Sequence, residues 1–176
     1  HPLVVRSRFG HGSLFGIEVP LTDGTAPPSI VSAPPVVPSA IARLDGARII
    51  VIDNDPDIRS SLESLLRHWC CLPLVTSSGE AALSALADQP QPPDLIIADW
   101  HLDNGAVGLD AITALRHRFT AAIPAVVITA DHTSEIRDRV EQAGCHLLNK
   151  PLRPGKLRSL LAHLLRERKG EPRHNQ

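Results

Sequence analysis

The sequence predicts an α/β protein, a doubly wound parallel sheet with helices on both faces, and three observations carry that prediction. Four short apolar runs, 49–52, 95–98, 125–128 and 147–148, have the brevity and continuity of buried strands. Between them lie stretches of helical period: Ile58, Leu62, Leu65, Leu66 and Trp69, then Leu109, Ile112, Leu115 and Phe119, and last Leu157, Leu160, Leu161, Leu164 and Leu165. Each run also stops at a polar residue: Asp53, Asp99, Thr129, and Asn149 with Lys150. Alternation of strand and helix favours a parallel sheet covered on both sides, and right-handed crossovers bring every strand's C-terminal end to one edge. In open α/β sheets ligands bind at that edge.

In chain order, residues 3–5 and 15–19 read as two strands around a Gly-rich bend through Gly10, Gly12 and Gly16, ending at Pro20. Two strands alone cannot bury a core. Residues 26–38 hold Pro27, Pro28, Pro34, Pro35 and Pro38 among small residues, the composition of a semi-extended linker. The main domain starts at the run 49–52, after which Asp55 and Pro56 make a helix start, the carboxylate capping and the proline filling the first turn. Residues 72–76 form a further strand whose Pro73 is best tolerated at a sheet edge. The runs 95–98 and 125–128 follow, then a loop and helix around 131–143, the short run 147–148, and the final helical stripe. Residues 170–176 lack periodicity and are expected to fray.

With 176 residues the chain accommodates about one domain and appendages. It contains no Met and begins His-Pro, which suggests a piece of a longer protein. A formal net charge of −1 without a basic stripe argues against nucleic acid, and the basic run 166–169 reads as a solvated helix end. No run approaches the roughly 20 apolar residues that cross a bilayer, and no signal peptide is visible, so a soluble, cytoplasmic chain is expected. The three cysteines, Cys70, Cys71 and Cys145, form neither a metal spacing nor an even disulfide set and are expected to be reduced and mostly buried. His68, His117 and His163 lie on helical patterns and are assigned no role.

The strand ends carry the chemistry. Asp53 and Asn54 offer adjacent oxygens suited to a hard cation such as Mg²⁺. Asp99, on a neighbouring strand, would face them, and carboxylates that close are unfavourable unless a cation lies between. With the cation in place Asp99 is suited to nucleophilic attack on a phosphoryl group, while Thr129 and Lys150 donate to its equatorial oxygens and Ala130 leaves room.

These residues resemble the receiver domain of bacterial two-component response regulators, over residues 48–168. That family carries an acidic pair after the first strand, a phosphorylated Asp after the third, Thr or Ser after the fourth and Lys-Pro after the fifth. Here those positions are Asp53 and Asn54, Asp99, Thr129 with Ala130, and Lys150 with Pro151. The resemblance implies a flavodoxin-like, five-stranded parallel sheet of order 2-1-3-4-5. It further implies a metal ligand in the backbone carbonyl of His101, a cis Lys150–Pro151 peptide, and transfer from phosphohistidine onto Asp99 with Mg²⁺. His101 and Asp131 flank the phosphoryl position, either tuning its hydrolysis or serving as ordinary loop residues. Two departures stand out. Asn54 replaces an acid, which should weaken Mg²⁺ binding, and Leu147 replaces the Tyr or Phe that often swings inward on phosphorylation.

The stretch Gly10-His11-Gly12-Ser13-Leu14-Phe15 resembles the end of the ATP-binding domain of sensor histidine kinases. The expected organisation is a kinase-domain remnant over 1–22, a linker over 23–46, a receiver over 47–168 and a disordered tail over 169–176. That order matches the C-terminal end of a hybrid sensor histidine kinase, whose parent protein could be membrane-anchored. Expected partners are the phosphohistidine domain of its own or a cognate kinase and a histidine phosphotransfer domain, with no nucleic acid and no membrane contact by these residues. A tether of this kind keeps donor and acceptor at high effective concentration. Two other classes compete: a phosphorylation-independent module docking on the kinase, and a hydrolase of the haloacid dehalogenase type. The latter would need Asp53-Asn54-Asp55 as its reacting motif, whereas Asp55 is better used as a helix cap.

Overall fold

The computed structural model describes residues 3–8, 12–17 and 44–170. The Pro-rich stretch 26–38, residues 18–20 and the tail 171–176 lie outside them. The chain divides into two units, His1–Ser39 and Ala40–Gln176.

In the first unit β1 (Leu3–Arg8) pairs antiparallel with β2 (Gly12–Ile17), placing Val5 opposite Phe15 and Arg6 opposite Leu14. The sequence reading is corrected at two glycines of the expected bend: Gly12 and Gly16 are strand residues, the latter opposite Val4, while Gly10 lies outside the described residues.

The second unit is a parallel sheet of five strands, β3 (Arg48–Ile52), β4 (Leu72–Thr76), β5 (Leu95–Asp99), β6 (Ala125–Thr129) and β7 (His146–Asn149), in the order β4-β3-β5-β6-β7. Numbered within this unit the order is 2-1-3-4-5, the doubly wound arrangement the sequence predicts. Central strands must bury both faces, and all residues of β5 and β6 are buried. β4 lies at the edge with Leu72 58% exposed, so Pro73 costs little there as a missing donor.

Strand pleating sends alternate residues into two cores. Ile49, Val51, Ile97 and Ile128 pack with Leu62 and Leu66 of α1 (Pro56–His68) and with Leu157 and Leu161 of α5 (Pro154–Gly170). Ile50, Ile52, Ile96 and Val127 pack on the other face with Ala82 of α2 (Gly79–Ala85), Ile112 and Leu115 of α3 (Gly108–Phe119) and Val140 of α4 (Ser134–Gln142). Asp55 caps α1 as expected, accepting hydrogen bonds from the backbone N–H of Asp57 at 2.8 Å and Ile58 at 3.3 Å, with Pro56 in the first turn. The end of α5 departs from expectation: the helix runs to Gly170, two residues into the stretch 169–176 expected to be a disordered tail. Arg168 does not simply point to solvent: its guanidinium lies 3.5 Å from Asp94 and donates to the Pro93 carbonyl, tying the helix to the segment that enters β5.

The cysteines carry no disulfide; Cys70 is exposed, and Cys71 and Cys145 are buried. Among the described residues no helix is long and apolar enough to cross a membrane.

Candidate functional site

Parallel strands bring the polar ends of β3, β5, β6 and β7 to one edge. Asp53, only 1% exposed, is held there by its own turn: Oδ1 accepts from the Asp55 N–H at 2.9 Å, and its carbonyl accepts from the Arg59 guanidinium at 2.7 Å. Asp99, the last residue of β5, is also buried. Lys150, directly after β7, reaches both acids: Nζ lies 2.9 Å from Asp99 Oδ1 and 3.7 Å from Asp53 Oδ2. Its backbone N–H donates to the Thr129 carbonyl at 2.7 Å, and the Lys150–Pro151 peptide is cis. Thr129 is fully buried, and its Oγ1 accepts from the Asp131 N–H at 3.0 Å, leaving the hydroxyl proton for another acceptor.

Asn54 and His101 are placed less directly. The Asn54 amide donates to Asp103 Oδ1 at 2.7 Å, a contact the sequence did not reveal. His101 is an exposed residue of the loop after β5, bridged antiparallel to Val107, its ring edge-on to Trp100. Asp131 turns to its own loop, where Oδ1 accepts from the Thr133 N–H at 2.9 Å. Gly108 was also missed. A Cβ there would lie 2.2 Å from the Asp99 carbonyl oxygen, so α3 approaches the end of β5 only because that residue has no side chain.

The electrostatics of the site favour a cation. One ammonium serves two buried carboxylates, and Asp53 Oδ2 is buried without a hydrogen-bond partner. Burial is the largest influence on the Asp53 carboxyl and raises its pKa above the ordinary value; the neighbouring Asp99 charge adds to this, while the Asp55 N–H and Lys150 oppose it. A small hard cation suits this donor set of two carboxylates and an amide. Because the third side chain is an amide, no group of three or more His, Cys, Asp or Glu forms a metal site among the described residues. A buried carboxylate paired with an ammonium, on the strand beside the one that ends at Thr129, is chemically suited to act as a nucleophile.

A sheet of this order with such a strand-end site defines the receiver class of signalling domains. Residues 49–162 match the response regulator receiver domain model, and the chain belongs to that family. The two-component response regulator ORR26 of Oryza sativa subsp. japonica is 30% identical over 130 residues, covering 72% of this chain and 21% of that protein. The sensory/regulatory protein RpfC of Xanthomonas campestris pv. campestris is 34% identical over 127 residues, covering 70% of this chain and 17% of that protein. The chain thus spans about a fifth of the length of these curated relatives. The chemotaxis protein CheY4 of Vibrio cholerae superposes with a TM-score of 0.60 at 21% identity, over 68% of this chain and 98% of that one. A two-component response regulator from Clostridium difficile gives 0.62 at 22% identity, over 71% and 99%. Both likenesses show the fold.

Proposed function

We propose that residues 47–168 are a phosphoacceptor in a two-component phosphorelay, with Asp99 receiving the phosphoryl group of a phosphohistidine. The observation that carries this reading is the contact of Lys150 Nζ with both Asp99 and Asp53, whose Oδ2 is buried without a hydrogen bond. With Oδ1 of Asp99 held by Lys150, Oδ2 attacks phosphorus; the P–O bond forms as the P–N bond breaks, and the imidazole nitrogen keeps the electron pair and takes up a proton from solvent. Lys150 and Thr129 donate to the equatorial oxygens as their charge grows. Asp53, Asn54, Asp99 and the His101 carbonyl would hold Mg²⁺, which when bound neutralises phosphoryl oxygen charge. Leu147, half-buried on β7, is not aromatic, so the phosphorylation signal rests on Thr129 and on the loop leading into α4.

The parent protein, in this reading, is a hybrid sensor histidine kinase with its receiver on the cytoplasmic side. Residues 1–22 are the last hairpin of its ATP-binding domain, and 23–43 are a tether; the linker expected over 23–46 ends earlier, because Leu44 is buried in the receiver core and the Gly46 N–H donates to the Cys70 carbonyl at 2.8 Å. The antiparallel pairing of β1 and β2 supports that assignment, as does the similarity to an RpfC protein described as both sensory and regulatory. A kinase phosphohistidine domain and a histidine phosphotransfer domain are the partners it calls for.

Incubation with acetyl phosphate and Mg²⁺, followed by intact-mass measurement, tests the central step. A single phosphate adduct on wild type that Asp99→Asn lacks is expected. No adduct on wild type, or the same adduct on Asp99→Asn, overturns it; a fold that beryllofluoride leaves unaltered would favour a module that docks without phosphorylation.

A further inference from the structure

We infer that Asp103 is a positioning residue for the divalent-cation site, standing in for the carboxylate that Asn54 lacks by orienting the Asn54 amide and returning a negative charge to the pocket. The inference rests on the reading of Asp53, Asn54 and Asp99 as a Mg²⁺ site.

Two independent observations carry it. The first is the 2.7 Å hydrogen bond from Asn54 Nδ2 to Asp103 Oδ1, which joins residues 49 apart in sequence. An ionised carboxylate only accepts hydrogen bonds, so it selects the nitrogen of the amide and leaves the oxygen on the opposite branch. An untethered asparagine presents nitrogen or oxygen with little preference, and an amide nitrogen does not ligate Mg²⁺. The second is Asp53 Oδ2, in a side chain 2% exposed, without a hydrogen-bond partner and 3.7 Å from the ammonium that also holds Asp99. That oxygen marks the interior of the pocket as short of positive charge.

Asp103 is fixed from below. It opens the short 3-10 turn Asp103–Gly105, where the Ala106 N–H donates to its carbonyl at 3.1 Å and the Leu102 N–H donates to the Ala106 carbonyl at 3.0 Å. Leu102, buried in the core beneath α3, anchors the loop. The Asn54–Asp103 contact itself is exposed, and an exposed hydrogen bond adds little to folding. Its consequence lies in the orientation of Asn54. With Asp103 counted, three carboxylates bear on the cation site, Asp53 and Asp99 inside the pocket and Asp103 behind the Asn54 amide.

Calorimetric titration of the full chain with MgCl₂, in the absence of any phosphodonor, tests the role. Removing residues that orient metal ligands typically weakens affinity by about 10–100-fold, and Asp103→Ala is expected to weaken Mg²⁺ binding about tenfold. In an Asn54→Asp background, where the side chain carries its own charge and has no nitrogen to misplace, the same Asp103→Ala change is expected to alter affinity by less than about twofold. Urea midpoints of the variants should match their parents, since Asp103 lies in an exposed turn. Wild-type binding with Asp103→Ala within twofold of it overturns the role of Asp103 alone. So does an undiminished loss in the Asn54→Asp background. Wild type that binds no Mg²⁺ overturns the metal site and this inference with it.

Discussion

Replacing Lys150 by methionine keeps the side-chain stem and removes the charge between two buried acids. At an effective dielectric of about 20, contacts of 2.9 and 3.7 Å each represent roughly 4–6 kcal/mol of gross attraction. Most of that offsets the desolvation of the three charged groups. Removing one partner of a fully buried pair costs about 3–5 kcal/mol; with 25% of the Lys150 side chain still exposed, we expect a loss of about 2 kcal/mol for Lys150→Met. Mg²⁺ should reverse the order of effects. In wild type the cation competes with the ammonium for the same oxygens, whereas in Lys150→Met it meets two uncompensated carboxylates and binds more tightly. Ligand stabilisation follows RT ln(1 + [L]/Kd), so the variant's urea midpoint should rise more on adding millimolar Mg²⁺ than wild type's does. Asp53→Asn introduced beside Lys150→Met should recover part of the lost stability by removing the repulsion. A Lys150→Met midpoint equal to wild type without Mg²⁺, or equal gains from Mg²⁺ in both proteins, refutes the electrostatic account.

Two further outcomes follow from packing and burial. Gly108→Ala would place a Cβ 2.2 Å from the Asp99 carbonyl oxygen, and forcing α3 outward should cost about 2–3 kcal/mol in urea unfolding and slow phosphorylation of Asp99; unchanged values for both would show that the approach is not tight. Burial pushes the Cys71 thiol from 9.0 up to about 11, so between those pH values the unfolded chain gives up a proton that the folded chain keeps. Stability therefore falls as pH rises through this window, by about 2–3 kcal/mol in all, and Cys145, also raised by burial, acts in the same direction. A Cys71→Ala variant should flatten the fall seen in denaturation midpoints, and a slope identical to wild type's would sink the assignment.

The legibility of the fold tracks burial. β5 and β6 are buried along their whole length, so they stand in the sequence as unbroken apolar runs. In β7 His146 and Asn149 are exposed, and only Leu147 and Leu148 of its residues mark it. α2 left no stripe to read: it has seven residues, and Ala82 is the only one fully buried. Its start depends on a close approach, since a Cβ on Gly79 would lie 2.7 Å from that of Ala111, and no periodicity records a contact of that kind. In the first unit Gly12 and Gly16, expected in a turn, are strand residues, because backbone pairing does not require a side chain.

The site divides along a different line. Asp53, Asp99, Thr129 and Lys150 were readable because a topology rule places strand ends together. What the rule could not reach were contacts made by exposed turns and by backbone, namely Asp103 on Asn54, Arg59 on the Asp53 carbonyl and Gly108 against Asp99. Asp131 makes a local contact of the same kind, accepting a hydrogen bond from the Thr133 N–H of its own loop. The sheet also explains why the readable residues are well placed. Its hydrogen bonding continues one step past the strands, from Asp53 N–H to the Thr76 carbonyl at 3.2 Å, Trp100 N–H to Ile128 at 2.7 Å and Lys150 N–H to Thr129 at 2.7 Å. Asp53, Asp99 and Lys150 therefore sit on or beside the last rungs of a rigid ladder, where positional error is smallest. Asn54 sits one residue beyond, off the ladder, and its hydrogen bond to Asp103 supplies the restraint that the sheet does not.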